Sequence, residues 1–274
     1  MMKKPNSRRN LDAAILRAFG TEREALHARN LMANAIVGQM LPNGVIKGGS
    51  ALSLRFGDAG TRFTSDLDAA RAEALDEFVE RLGASLADGW EGFTGRVVAL
   101  APAHPKDVPP HYVMQPFEVK LSYNGKSWFT VRLEVGHNEI GDADVVEYGL
   151  AEDVAGLFEK VGLPCPGPSP LMPLHHQIAQ KIHGATEPGS RRAHDLIDLQ
   201  LIVGKGDVDY GKTKETCIRL FNYRQMQAWP PTVVENEGWD ELYRSQLRSD
   251  DVLSSVDEAV GWANELIARI CESK

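Results

Sequence analysis

Two runs of strict apolar–polar alternation flank Asn124-Gly125, and no other feature leaves this chain so little choice of local structure. Phe117-Glu118-Val119-Lys120-Leu121-Ser122-Tyr123 and Phe129-Thr130-Val131-Arg132-Leu133-Glu134-Val135 repeat with period two, the mark of strands that bury one face. Asn-Gly between such runs is a strong hairpin signal. Turn length then sets the register. A two-residue turn puts Leu121 opposite Trp128 and Val119 opposite Thr130, which splits the apolar sets between the two faces. A three-residue turn that includes Lys126 puts Leu121 opposite Phe129, Val119 opposite Val131 and Glu118 opposite Arg132. That pairing keeps one face apolar and sets opposite charges across the strands, so it is the one expected.

Helical patterns surround this β centre. Thr21-Glu22-Arg23-Glu24 is a capping box that opens a helix to about Leu41, where Pro42-Asn43-Gly44 stops it. Val45-Ile46 reads as a short strand, Gly48-Gly49-Ser50 as the connection after it, and Ala51 to Phe56 as a helix. Arg62-Phe63-Thr64-Ser65-Asp66-Leu67-Asp68 reads as another strand. Residues 72–87 form an amphipathic helix, with Leu75, Phe78, Val79, Leu82 and Leu86 at helical spacing. Residues 164–173 hold five prolines and read as a stiff linker. Helices are expected beyond it at about 173–186, 194–204, 211–226 and 254–272. The layout is an N-terminal α/β domain, residues 1–165, followed by a helical C-terminal domain, residues 171–274.

Composition removes several classes. The 274 residues, 43% of them hydrophobic, suffice for a buried core without staples. Cys165, Cys217 and Cys271 are odd in number and widely spaced, so neither a disulfide framework nor a zinc site is written here. No run approaches the roughly 20 apolar residues of a membrane helix. Asp12 and Arg17 interrupt the apolar stretch behind the basic N-terminus, so a cytoplasmic protein is expected. The net charge of −8 gives no long-range pull on phosphate backbones. Any nucleic-acid contact must use a local patch, and the candidates are Lys3, Lys4, Arg8 and Arg9 or the pair Arg191 and Arg192.

Three features carry chemistry. Gly48-Gly49-Ser50 lies between a strand and a helix, where glycines admit a phosphate to backbone N–H groups at the positive end of the helix. Asp66 and Asp68, two apart on a strand, share one face roughly 6.6 Å apart. Two carboxylates so placed can hold a pair of divalent cations about 3.5–4 Å from each other. Glu134, between Leu133 and Val135, is a third acid on a predicted strand; it serves either as a further ligand or as a salt-bridge partner of Arg132 or Lys120. Lys181 borders the apolar stripe Leu174, Ile178, Ile182, where a lysine ordinarily lays its stem on the surface. His175, His176, His183 and His194 share no ligand spacing and read as structural or exposed.

The order of these motifs resembles that of nucleotidyltransferases of the DNA polymerase β type. Lys47-Gly48-Gly49-Ser50-Ala51-Leu52 followed by Arg62-Phe63-Thr64-Ser65-Asp66-Leu67-Asp68 resembles the opening motif of the AbiEii/AbiGii abortive-infection toxin family, to which the tRNA-modifying MenT toxins are similar. Gln177-Ile178-Ala179-Gln180-Lys181-Ile182-His183 resembles its lysine motif, with Gln177 where an acid is usual. Arg191-Arg192-Ala193-His194-Asp195-Leu196-Ile197-Asp198-Leu199 resembles its closing Arg/Asp motif; spacing favours Asp195 over Asp198 as the motif's aspartate. The resemblance implies an α+β fold: a mixed polymerase β-type sheet with flanking helices, then a helical C-terminal domain. It implies an Mg²⁺-dependent transfer of NMP from an NTP to an acceptor hydroxyl, with two ions expected. Asp66, Asp68 and Glu134 would bind metal, Lys181 and Asp195 would join them in catalysis, and Lys47, Gly48, Gly49, Ser50, Arg62 and Lys181 would bind the nucleotide. The implied acceptor is a tRNA 3′ end and the implied partner a cognate antitoxin. A small molecule or protein side chain as acceptor, and an idle nucleotide- or RNA-binding fold, are the alternatives.

Overall fold

The computed structural model describes residues 3–102, 113–248 and 250–273. The chain divides into two compact units: Met1–Asp58 with Thr64–Leu171, and Ala59–Phe63 with Met172–Lys274.

The first unit is built on a seven-stranded sheet, counted over the described residues. Its strands are β1 (Gly44–Lys47), β2 (Asp66–Arg71), β3 (Phe93–Ala99), β4 (Gln115–Tyr123), β5 (Lys126–Gly136), β6 (Glu147–Gly149) and β7 (Ser169–Leu171). Their order is β3-β4-β5-β2-β1-β7-β6. The β2–β5 and β1–β7 pairs are parallel and the others antiparallel, so the sheet is mixed, as expected. Around it lie α1 (Arg8–Phe19), α2 (Glu22–Met40), α3 (Gly48–Phe56), α4 (Leu75–Asp88) and α5 (Glu152–Lys160). The expected capping box starts α2: Glu24 N–H donates to Thr21 Oγ1 while Glu24 receives the Thr21 N–H. From Ala25 to Met40 most of α2 is buried, and its Met32, Ile36 and Val37 join Leu67, Val119, Val131 and Leu133 of the strands in one core.

The hairpin keeps the expected pairing by a different route. Leu121 lies opposite Phe129, Val119 opposite Val131 and Glu118 opposite Arg132. The turn, however, has two residues, since Tyr123 pairs with Lys126. Asn124 and Gly125 both take positive φ, 47° and 74°, as a tight twisted turn requires. The extra residue enters at a register shift beside Leu121 and Ser122, where Ser122 pairs with Ser127 and Leu121 with Phe129. Trp128 is that extra residue and is buried. Opposed in register, the charges bond along the strands instead: Lys120 to Glu118 at 3.0 Å and Arg132 to Glu134 at 3.3 Å.

Two other expectations change. The proline-rich stretch is not a linker throughout, because Ser169–Leu171 joins the sheet between β1 and β6. Strand β2 starts only at Asp66, and Arg62 and Phe63 belong to the second unit.

The second unit holds α6 (Leu174–Ala185), α7 (His194–Lys205), α8 (Tyr210–Arg224), α9 (Trp239–Gln246) and α10 (Val256–Glu272). Trp239, Tyr243 and Phe221 are buried there. Their polar atoms are satisfied: Trp239 Nε1 donates to the Ser190 carbonyl at 2.6 Å and Tyr243 Oη to that of Leu253 at 2.7 Å. No helix among the described residues is long and apolar enough to cross a membrane.

Candidate active site

In the first unit three neighbouring strands bring one residue each into a row. Lys47 on β1 is the register partner of Asp68 on β2, and Asp68 is the partner of Glu134 on β5. Asp66, two residues before Asp68, lies beside Arg132. Paired residues share a face, so Lys47, Asp66, Asp68, Arg132 and Glu134 all stand on one side of the sheet. The opposite side belongs to Leu67, Leu133 and Val135, all buried in the core. Alternation that hides the leucines thus forces the acids together on the polar face.

Glycines shape the space beside that row. Helix α3 begins at Gly48, not at Ala51, so Gly48-Gly49-Ser50 is its first turn and carries no side-chain cap. The first N–H groups of a helix have no partner within it. Gly48 has φ +66°, and a Cβ there would overlap the Asp68 carboxylate, so the missing side chain lets the aspartate lie against the start of the helix. Gly136 does the same for Lys47: a Cβ at Gly136 would stand 3.1 Å from the lysine ammonium. The Ser50 hydroxyl is buried and donates to the Asp66 carbonyl at 2.6 Å, and Asn34 Nδ2 donates to Ser50 Oγ at 3.4 Å. The Ser50 side chain therefore ties α3 to the first residue of β2. Ser65 Oγ donates to Asp66 Oδ1 at 3.2 Å.

The carboxylates form an open row. Glu134 is turned toward Arg132, and among the described residues no three His, Cys, Asp or Glu side chains stand close enough to enclose an ion. Oxygen donors only, on one polar face, are nonetheless the donor set that suits a hard divalent cation.

The remaining expected residues gather in the second unit. Lys181, on α6, is 4% exposed and donates to Asp198 Oδ2 at 2.6 Å and Asp195 Oδ1 at 3.4 Å. Its burial overturns the reading of a surface lysine. Asp195 and Asp198, on α7, are 0% and 1% exposed. Arg192 Nε donates to Asp195 Oδ2 at 2.5 Å, and Arg62 Nε reaches both Asp198 oxygens, at 3.0 and 3.1 Å. The result is one chain of alternating charge, Arg62–Asp198–Lys181–Asp195–Arg192. Burial alone would raise the Asp195 carboxyl, but Arg192 and Lys181 outweigh it and hold the group well below the usual carboxylate range. Burial pushes the neighbouring His194 imidazole down to about 4; Asp195 opposes this and Arg62 reinforces it. His176 and His183 are buried.

Both aspartates left open by motif spacing thus belong to the cluster. Gly136 and Asn34 are contributors that motif reading passed over, and Arg192, expected as a nucleic-acid contact, is instead bonded to Asp195. Gly136 and Asn34 had no signal, because their partners come from other elements.

The family model described as nucleotidyl transferase AbiEii toxin, type IV toxin–antitoxin system, matches residues 31–262. Among solved structures, the chain resembles MenT4, a nucleotidyltransferase toxin from Mycobacterium tuberculosis H37Rv, with a TM-score of 0.59 and 16% identity over 96% of this chain and 90% of that one. It also matches JHP933 from Helicobacter pylori, with a TM-score of 0.46 and 14% identity over 91% of this chain and 92% of that one. A search of curated proteins finds no match. The chain belongs to the AbiEii family of nucleotidyltransferase toxins.

Proposed function

We propose that the chain transfers a nucleoside monophosphate from an NTP to the 3′ hydroxyl of a tRNA, acting in the cytoplasm as the toxin that a cognate antitoxin restrains. The observation that carries the chemistry is the Lys47–Asp68–Glu134 row with the uncapped start of α3 against it. The tRNA acceptor rests on the motif resemblance to the tRNA-modifying toxins.

Asp66, Asp68 and Glu134 would hold divalent cations, two Mg²⁺ in this reading. When bound, such ions orient a triphosphate and stabilise charge on the attacking and leaving oxygens. The chain's own groups do the rest. Backbone N–H groups of Gly48, Gly49 and Ser50 receive the β- and γ-phosphate oxygens, and Lys47 adds a point charge. The acceptor oxygen bonds to the α-phosphorus as the bond to the pyrophosphate oxygen breaks. Glu134, released from Arg132, takes the hydroxyl proton at its carboxylate.

For tRNA phosphates the basic surface is thinner than the sequence suggests. Lys4 is paired with Glu91, Arg8 with Asp12 and Arg192 with Asp195, which leaves Lys3, Arg9 and Arg191 exposed without an ion pair among the described residues. That favours the small-molecule acceptor as the second reading. Incubating the protein with Mg²⁺, each α-labelled NTP in turn, and total tRNA, total protein or small-molecule extract decides between them. Labelled tRNA is expected; label elsewhere overturns the acceptor, and no label with any nucleotide overturns the activity.

A further inference from the structure

Strands β3, β4 and β5 bury only one of their two faces. Val119, Leu121, Val131 and Leu133 join Met32 and Ile36 of α2 and Leu82 and Leu86 of α4 in the core. Alternation therefore turns Arg96, Glu118, Lys120, Thr130 and Arg132 to the other face, the one that carries Asp66, Asp68 and Glu134. That face is open to water. Arg96, Thr130 and Arg132 are exposed, and Val98, Glu118 and Lys120 are half-buried.

The register draws a path across it. Asp66 is paired with Arg132 and Arg132 with Glu118, while Lys120, two residues beyond Glu118, is paired with Arg96 on the edge strand. Lys120 is thus the diagonal neighbour of Arg132, about 7–8 Å away across the strands. Apart from Glu134 of the acid row, the charged residues on this face of β3, β4 and β5 are three cations against Glu118 alone. Glu118 meets Lys120 at 3.0 Å and Glu134 meets Arg132 at 3.3 Å, but both pairs lie in water, where such pairing is worth little. Arg96 has no ion pair among the described residues. Hydroxyl side chains fill the places between: Thr94 is the register partner of Ser122, and Thr130 that of Lys120. Arginine, lysine and hydroxyl groups are what contact the phosphates and sugars of a nucleic-acid strand.

We propose that this face docks the single-stranded 3′ end of an RNA, with phosphates along Arg96, Lys120 and Arg132 and the terminal hydroxyl at the acid row. This deepens the function proposed above and rests on it for the RNA acceptor. It moves the contact surface away from the N-terminal run and from Arg191 and Arg192. Where Glu134 turns to a divalent cation, Arg132 loses its carboxylate partner and is left to the phosphate nearest the reacting end. A small-molecule acceptor has no use for a path of this length.

Fluorescence anisotropy of a labelled short single-stranded RNA with a free 3′ hydroxyl, titrated with the full chain in Mg²⁺ without NTP over a range of salt, tests the proposal. Arg96→Gln with Lys120→Gln is expected to weaken binding at least tenfold at low salt. The log–log salt slope should also become shallower by roughly 1.4, at about 0.7 per phosphate contact on a single strand. Glu118→Gln gives the opposite sign: it frees Lys120 and should tighten binding several-fold, which mere damage to the sheet cannot do. Measurable binding by the wild type that the double variant leaves unchanged, or that Glu118→Gln weakens, overturns this face as the docking surface while the RNA acceptor stands. No binding by the wild type at low salt overturns the RNA acceptor, and the docking surface with it. A dimer in sedimentation that the double variant dissolves gives the face to a second copy of the chain and likewise overturns the proposal.

Discussion

Asp68 and Lys181 are both charged residues with close partners, yet they sit in opposite electrostatic situations. Asp68 shares a face with the carboxylates of Asp66 and Glu134, and with Lys47 and Arg132 at the sides of that row. On the proposed reading, replacing Asp68 by Asn removes a metal ligand, and it takes one of three neighbouring carboxylates from a face that also carries Lys47 and Arg132. NMP transfer is expected to fall by orders of magnitude with the thermal midpoint unchanged or raised, and substantial residual activity would falsify the ligand assignment. Gly48→Ala probes the same carboxylate through the backbone. The φ of +66° costs an alanine roughly 1 kcal/mol or more, and its Cβ must displace Asp68. A displacement on that scale can lower turnover about a hundredfold. Lys181 gives the reverse signature. Lys181→Met leaves Asp195 and Asp198 with one arginine each in a buried setting, which should cost roughly 3 kcal/mol in urea unfolding with no nucleotide present. An unchanged urea midpoint would mean that the lysine does not stabilise the cluster.

At the scale of elements, what the sequence discloses depends on how local the cause is. The β4 and β5 strands are legible because every second residue reports its face, and the paired acids on β2 are legible for the same reason. The turn between β4 and β5 is misread because the apolar pattern constrains only the strand bodies. A buried bulge at Trp128 absorbs the residue that a longer turn would have taken. Strands β6 and β7 have three residues each, too few to show a period, and Pro170 disguises β7 as a linker. Arg62 is misplaced for a plainer reason: its partner Asp198 lies 136 residues away, and nothing near Arg62 in the chain announces it. The start of α3 was shifted for want of a cap, since Gly48-Gly49 are poor helix formers and their position is fixed by Asp68 and Ser50. The hairpin turn itself offers a clean test. Gly125 stands in open space with φ +74°, so Gly125→Ala meets no clash and pays only for its backbone. A loss of about 1 kcal/mol in unfolding free energy is expected, with activity retained.

For the whole molecule, division of the chain into two units means that stability need not be lost evenly with pH. In the second unit burial holds the imidazoles of His175 and His194 neutral. Burial, reinforced by His176 and Lys212, pushes His175 down to about 4, and burial does the same to His194. Both rings lie in the helical unit, on α6 and at the start of α7. In the unfolded chain each would take up a proton near its ordinary value of 6.5, whereas the folded unit refuses it until about pH 4. The unfolded state therefore binds more protons across that window, and folding stability must fall as pH drops through it. Asp195 adds a later loss. Its folded carboxyl is depressed by Arg192 and Lys181, so its contribution is intact above the ordinary carboxylate range and disappears only in stronger acid. Between pH 7 and pH 5 the histidines alone should cost the helical unit about 2 kcal/mol, allowing for the part of each ring that water still reaches. Hydrogen exchange resolved by segment is the direct measurement, with protection expected to drop first in α6, α7 and α8. His175→Gln retains a polar side chain without the titration, and His175→Gln with His194→Gln should flatten the pH dependence across that window. An equally steep loss in the double variant would place the acid sensitivity on other groups.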